Sequence, residues 1–124
     1  MNPVLGTAAT LAILTAGAHS YLGERYLLIR LFRRTDLPKL LGGTEFTKRT
    51  LRFAWHLTSI AWLGFAALLV SLGRGGGGTL PELSWVICGT FGVSSLVALV
   101  GSRGRHLSWV VFLSIAVLVW LGSR

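Results

Sequence analysis

The sequence predicts an all-α fold: a four-helix transmembrane bundle with a basic amphipathic connection between its first and second spans. Only 13% of the 124 residues are charged and 52% are apolar, against the roughly 25% charge of a water-soluble domain. Residues 2–23, 53–73, 83–102 and 106–123 contain no Asp, Glu, Lys or Arg. At about 1.5 Å per helical residue, each run crosses or nearly crosses a hydrocarbon core roughly 30 Å thick. Twelve Lys and Arg against four Asp and Glu give net +8, but these charges lie between the apolar runs. The partner they imply is a lipid bilayer and not nucleic acid.

The first expected span covers residues 3–23. Its Ala16-Gly17-Ala18 matches the small-residue pattern of a leader-cleavage site, yet no Lys or Arg precedes residue 24. The basic segment of a leader is missing, so the helix is expected to be retained. The connection 24–52 is the one long enough to hold structure outside the bilayer, so any function has to be built within or beside the helices. Residues 24–34 place Arg30, Arg33 and Arg34 on one helical face and Leu27, Leu28, Leu31 and Phe32 largely on the other, as in a basic helix lying on a membrane surface. Those three arginines are candidate ligands of anionic lipid head groups; a role in orienting the chain accounts for them equally. Asp36 is expected to cap a short turn through Leu41, ended by Gly42-Gly43. Thr44 is expected to cap a helix running from Glu45 into the second span, 53–73. Gly75–Gly78 read as a flexible link, closed by a Thr79-Leu80-Pro81 turn, to the third span, 83–102. The four glycines lack the strand, Lys and Ser/Thr context of a phosphate-binding loop. The fourth span covers 106–123, and residues 1–124 form one integral membrane domain.

Orientation follows from the cations. Arg25, Arg30, Arg33, Arg34, Lys39, Lys48, Arg49 and Arg52 occupy the first connection, Arg74 the second, and Arg103 and Arg105 the third. Positive charge stays in the cytoplasm, so the first and third connections are expected there and both termini on the other side. Trp55 and Trp109 then band near the cytoplasmic boundary and Trp85 and Trp120 near the opposite one, whereas Trp62 lies mid-span, where it serves packing or a site.

Small residues set the expected packing. Ala8, Ala12, Ala16 and Ser20 form a stripe on the first span, and Thr90, Ser94, Ala98 and Ser102, backed by Gly89 and Gly92, form one on the third. Spans one and three are therefore expected to be interior, with span four as a lipid-facing wall or a subunit contact. Cys88 has no partner in the chain, which excludes an intrachain disulfide and leaves a packing role.

Histidines are the candidate chemistry, because ionisable groups in a bilayer usually face a protein interior, a cavity or a ligand. His19 lies five residues before Glu24 and His56 four after Arg52, so both sit roughly 6–8 Å inside the same boundary, and His106 lies in the same leaflet. Three roles are open. The imidazoles are hydrogen-bonded structural groups, with Ser59 one turn from His56. Alternatively His19 and His56 ligate a b-type haem or a metal ion, with His106 and Glu24 as further metal ligands. As a third role, they handle a proton or substrate at a transporter mouth. Residues 19 and 24 stand about 140° apart on a regular helix, so sharing a site requires a distortion, for which Gly23 gives the opportunity. A salt bridge from Glu24 to Arg52 is the simpler use. No Ser-His-Asp set or mid-span carboxylate supports hydrolytic catalysis.

In His19-Ser20-Tyr21-Leu22-Gly23-Glu24 and Trp55-His56-Leu57-Thr58 the chain resembles a group of small four-span bacterial inner-membrane proteins with similar His-Ser-x-Leu-Gly-Glu and Trp-His-Leu-Thr segments. The resemblance spans the first two helices and their connection. It implies a bacterial inner-membrane location and draws attention to His19, Glu24 and His56. The expected function is that of a homo-oligomer, or a subunit associated with other membrane proteins, carrying a histidine site near the cytoplasmic face. A metal- or haem-binding redox or transport protein is the alternative.

Overall fold

The computed structural model describes residues 1–74 and 79–123. The glycine link expected at 75–78 lies outside them. The described chain is all-helical with four helices: α1 (Pro3–Leu22), α2 (Glu45–Gly73), α3 (Leu80–Ser102) and α4 (Ser108–Gly122). Both α2 and α3 are long and apolar enough to cross a membrane. Thr7, Thr10, Thr15, His19 and Ser20 dilute the apolar character of α1, and the 15 residues of α4 reach about 22 Å.

Local chemistry explains the helix limits. Asn2 starts α1: its Oδ1 accepts from Val4 N at 2.9 Å and Leu5 N at 3.4 Å, and Pro3 follows where no N–H is needed. The helix does not stop at Gly23. A π-helical segment, Gly23–Leu28, and a last turn, Ile29–Leu31, continue it without a non-helical residue. The basic surface helix expected over 24–34 is thus an extension of α1 and ends at Leu31, leaving Arg33 and Arg34 in the turn beyond. The expected cap at Asp36 does not form, because its carboxylate takes both ends of the Arg34 guanidinium, at 2.8 and 2.6 Å. Leu41 and Gly42 instead adopt positive φ in a tight turn that pairs Leu40 with Gly43.

Thr44 flanks α2 as expected, but its side chain makes no cap bond. At α3 the expected turn is the helix start. Thr79 Oγ1 accepts from Glu82 N at 3.4 Å and Glu82 Oε2 accepts from Thr79 N at 3.1 Å, a capping box that brings the start forward to Leu80. Pro81 fits because the first turn leaves its N–H groups unpaired.

The helices pack in series: α1 on α2, α2 on α3, α3 on α4. Among the described residues α1 meets neither α3 nor α4, so the row is open and its interior members are α2 and α3, not the first and third as the stripes suggested. Each helix is the antiparallel neighbour of the next; on the α1–α2 seam Glu24 meets Arg52 at one end and Asn2 N–H meets the Gly73 carbonyl at the other. The α1 seam also has a different register. Ala9, Ala16 and Gly23 are its buried small residues, spaced by seven, because a four-residue step drifts about 40° around a helix and a seven-residue step only about 20°. On α3 the expected Ser94, Ala98 and Ser102 are buried. Their hydroxyls donate to carbonyls four residues back, Ser94 to Thr90 at 2.8 Å and Ser102 to Ala98 at 2.6 Å. Gly64 faces Thr90 and Gly101 faces Phe53 so closely that a Cβ on either glycine would overlap its neighbour. Cys88 has its expected packing place, its Sγ 3.4 Å from the Ala116 carbonyl of α4.

Among the described residues, five of the seven buried apolar ones are alanines, while thirty large apolar side chains are exposed. This distribution inverts that of a water-soluble core.

Two outcomes are expected. Thr79→Ala removes half of the capping box and lowers unfolding stability by about 1 kcal/mol, measured by denaturant titration in detergent. The Arg34 hydrogen bonds, then a hydrogen bond from the Asp36 backbone, with the Arg34 charge adding least, hold the Asp36 carboxyl down to about 2. Its contribution to stability is therefore present above the ordinary carboxylate range and lost only as pH falls through about 2. Carboxyl carbon NMR of Asp36 should show that midpoint, and Arg34→Ala should raise it toward the ordinary range, with the backbone hydrogen bond left in place.

Candidate functional site

At the basic end of the row, the α1–α2 seam carries a continuous polar chain. Antiparallel pairing brings residues near 20 opposite residues near 57. His19 Nδ1 lies 3.1 Å from Ser59 Oγ, Ser20 Oγ donates to Ser59 Oγ at 2.8 Å, and His56 Nδ1 lies 2.9 Å from Ser20 Oγ. His56 Nε2 is 3.3 Å from Glu24 Oε2. Arg52 closes the chain with a two-point contact to the same carboxylate, Nη2 to Oε1 at 2.9 Å and Nε to Oε2 at 3.2 Å. The Arg52 guanidinium also lies 4.9 Å from the centre of the Phe32 ring. Ser59 is buried, whereas Glu24 and His56 are each about one-third exposed at the side chain. The chain thus runs from a partly open boundary into the seam.

Gly23 makes this approach possible. A Cβ at that position would overlap the Trp55 indole. With none there, Trp55 lies across the α1 backbone, donates its Nε1–H to the His19 carbonyl at 3.0 Å and stacks on the His19 ring with centroids 4.5 Å apart and planes 3° from parallel. Trp62 meets the same imidazole edge-on at 4.9 Å. Trp55, expected in the interfacial belt, is therefore a site residue, and Trp62 is one as well. The distortion for which Gly23 gives the opportunity begins at that residue, and Ile29 N–H reaches back five residues to the Glu24 carbonyl. Glu24 forms the expected bridge to Arg52 and reaches His56 rather than His19, because Ser20 and Glu24, one turn apart, flank the His56 ring.

His106 stands apart from the other two. Its Nδ1 accepts from Ser108 N at 3.2 Å and lies 2.9 Å from Ser108 Oγ, capping α4, while its ring packs between Phe46 and Phe53. Among the described residues no three His, Cys, Asp or Glu side chains are gathered to hold a metal, so His19, His56, His106 and Glu24 do not form one ligand set. Of the expected head-group arginines, Arg34 is taken by Asp36 and Arg30 lies 5.9 Å from the Tyr26 ring centre. Helix geometry no longer aligns them, since only Arg30 is helical.

The chain matches no protein-family model, no curated protein and no solved structure.

Sequence reasoning counted Ser20 only as a small stripe residue and Ser59 only as a neighbour of His56. The antiparallel register, anchored by the two histidines at one depth, is the signal that pairs them. Gly23→Ala should cost about 1–3 kcal/mol through overpacking, read from thermal or denaturant unfolding in detergent. Trp55→Ala in the same chain should recover part of that loss, and the absence of such coupling would show that the contact does not set the seam.

Proposed function

We propose that this chain is a small four-span membrane protein of the bacterial inner membrane, working as a homo-oligomer or as a subunit of a larger membrane assembly. Its His19–His56 site handles a proton near the cytoplasmic face. The membrane placement is supported by the two crossing-length helices and the exposed apolar surface, and the orientation, with both termini outside the cytoplasm, by the Lys and Arg of the first and third connections. The open row supports assembly, since among the described residues α1 and α4 each pack on one other of the four helices.

The unbroken His56–Ser20–Ser59–His19 chain carries the proton-handling role, its contacts all between 2.8 and 3.1 Å. Each hydroxyl has one proton and two lone pairs, so the chain can be ordered either way. With an imidazolium at position 56, His56 Nδ1–H donates to Ser20, Ser20 to Ser59, and Ser59 to His19 Nδ1. Shifting each proton one step along leaves neutral His56 donating Nε2–H to Glu24 and an imidazolium at His19. One proton has moved across the seam, from the ring beside Glu24 to the ring stacked on Trp55, and every hydrogen bond is kept with its direction reversed along the chain. The stacked Trp55 face favours the cation at its new position. A cofactor has less to draw on: both nitrogens of His56 are engaged, and His19 Nε2 is the one ring nitrogen of the pair without a hydrogen bond among the described residues.

Nitrogen NMR of the full chain in bilayers tests this. Acidification that protonates His56 should shift His19 Nδ1 in the wild-type chain, and Ser59→Ala should uncouple the two rings. A His19 signal indifferent to His56 in the wild-type chain would defeat the relay.

A further inference from the structure

A second feature of the basic end adjoins the relay, sharing Arg52 and His56 with it. A groove of about 740 Å³ opens between α2 and α3, within the roughly 300–1,000 Å³ range of ligand sites. Phe53, Leu96, Val97 and Val100 make part of its lining apolar. Its lining also carries Lys48, Arg49, Arg52 and His56. Arg49 also borders a smaller cavity of about 230 Å³, where it is joined by Arg103 and Arg105.

These charges are out of balance. Arg52 is neutralised by Glu24. Glu45 is the acid bordering both cavities, and it is 73% exposed at the side chain and 3.9 Å from Lys48. Arg49 is half-buried, and it, Arg103 and Arg105 have no side-chain hydrogen bond or ion pair among the described residues. Half-buried cations next to an apolar wall call for an anion with a hydrocarbon part.

We propose that the groove binds an anionic phospholipid, its phosphate between Lys48 and Arg49 and an acyl chain along Phe53, Leu96, Val97 and Val100. Free phosphate would leave the apolar wall unused. A second copy of the chain in the same orientation would bring another cationic set to the same level, which the charges oppose. The lipid site presupposes the membrane placement above; its lining shares Arg52 and His56 with the relay, but the residues assigned to the lipid, Lys48, Arg49, Phe53, Leu96, Val97 and Val100, take no part in it. It also differs from a general attraction to Arg30, Arg33 and Arg34, which lie outside the groove lining.

Native mass spectrometry of the full chain released from mixed micelles tests the site, with phosphatidylglycerol, phosphatidylcholine and glycerol 3-phosphate as the probes. The wild-type chain should retain phosphatidylglycerol over phosphatidylcholine. Lys48→Gln with Arg49→Gln should weaken that retention roughly 25-fold, the loss of about two cations' attraction. Arg30→Gln with Arg33→Gln, the same change in charge, should leave it within about twofold. Leu96→Trp, which fills the exposed wall, should reduce it while unfolding stays unchanged, and Lys48→Arg should retain the lipid. Equal retention of the two lipids, equal loss in both arginine-bearing pairs, or competition by glycerol 3-phosphate as strong as by the lipid would each overturn the site. A chain that stays in solution without detergent would instead overturn the membrane placement itself.

Discussion

The close approach of α1 and α2 at Gly23 is the constraint from which the site follows. Because position 23 has no side chain, Trp55 fills the space against the α1 backbone and stacks flat on His19. That contact fixes the height of one helix against the other, and the height decides which polar groups meet. Ser20 falls between His56 and Ser59, and Glu24 falls beside His56 within reach of Arg52. The π-helical turn that starts at Gly23 belongs to the same arrangement, carrying the chain past the site while keeping it helical to Leu31.

Away from this end the seams depend on small residues. In lipid, burying apolar surface between helices gains little, and association rests on van der Waals contact and interhelical hydrogen bonds averaging about 0.6 kcal/mol each. Ala9 and Ala16 on α1, Gly64 and Gly101 opposite Thr90 and Phe53, and Ala98 and Ala116 farther along the row let backbones come close. Buried serines are satisfied within their own helix, or across to the next as Ser95 is by the Trp109 carbonyl at 2.8 Å. Large side chains are left on the outside, where the proposed bilayer is their solvent.

Charge divides the basic end into two environments a few residues apart on α2. Arg52 meets a carboxylate in a two-point geometry and completes a balanced hydrogen-bonded chain. Arg49, less than one turn earlier, faces the α2–α3 side with further arginines and only an exposed Glu45 nearby. The same run of cations thus serves a partly open hydrogen-bonded site and an unbalanced groove, with Arg52 and His56 shared between them.

Composition and pattern determined much of this chain: its helical class, the limits of α2, the inward Ser94, Ala98 and Ser102, the Glu24–Arg52 pair and the meeting of His19 and His56 in one cluster. These follow from local periodicity and from the charge-free runs, which one strand of sequence carries by itself. Tertiary structure decided the rest. The seven-residue seam of α1, the move of Trp55 from membrane belt to imidazole stack, the separation of His106 as a cap for α4 and the serial order of the helices all depend on which helix stands beside which and at what height. Periodicity gives the face of a helix but not its partner, and in a row of nearly uniform apolar helices the partner is chosen by a few steric contacts, Gly23 against Trp55 foremost, that leave no periodic trace in the sequence.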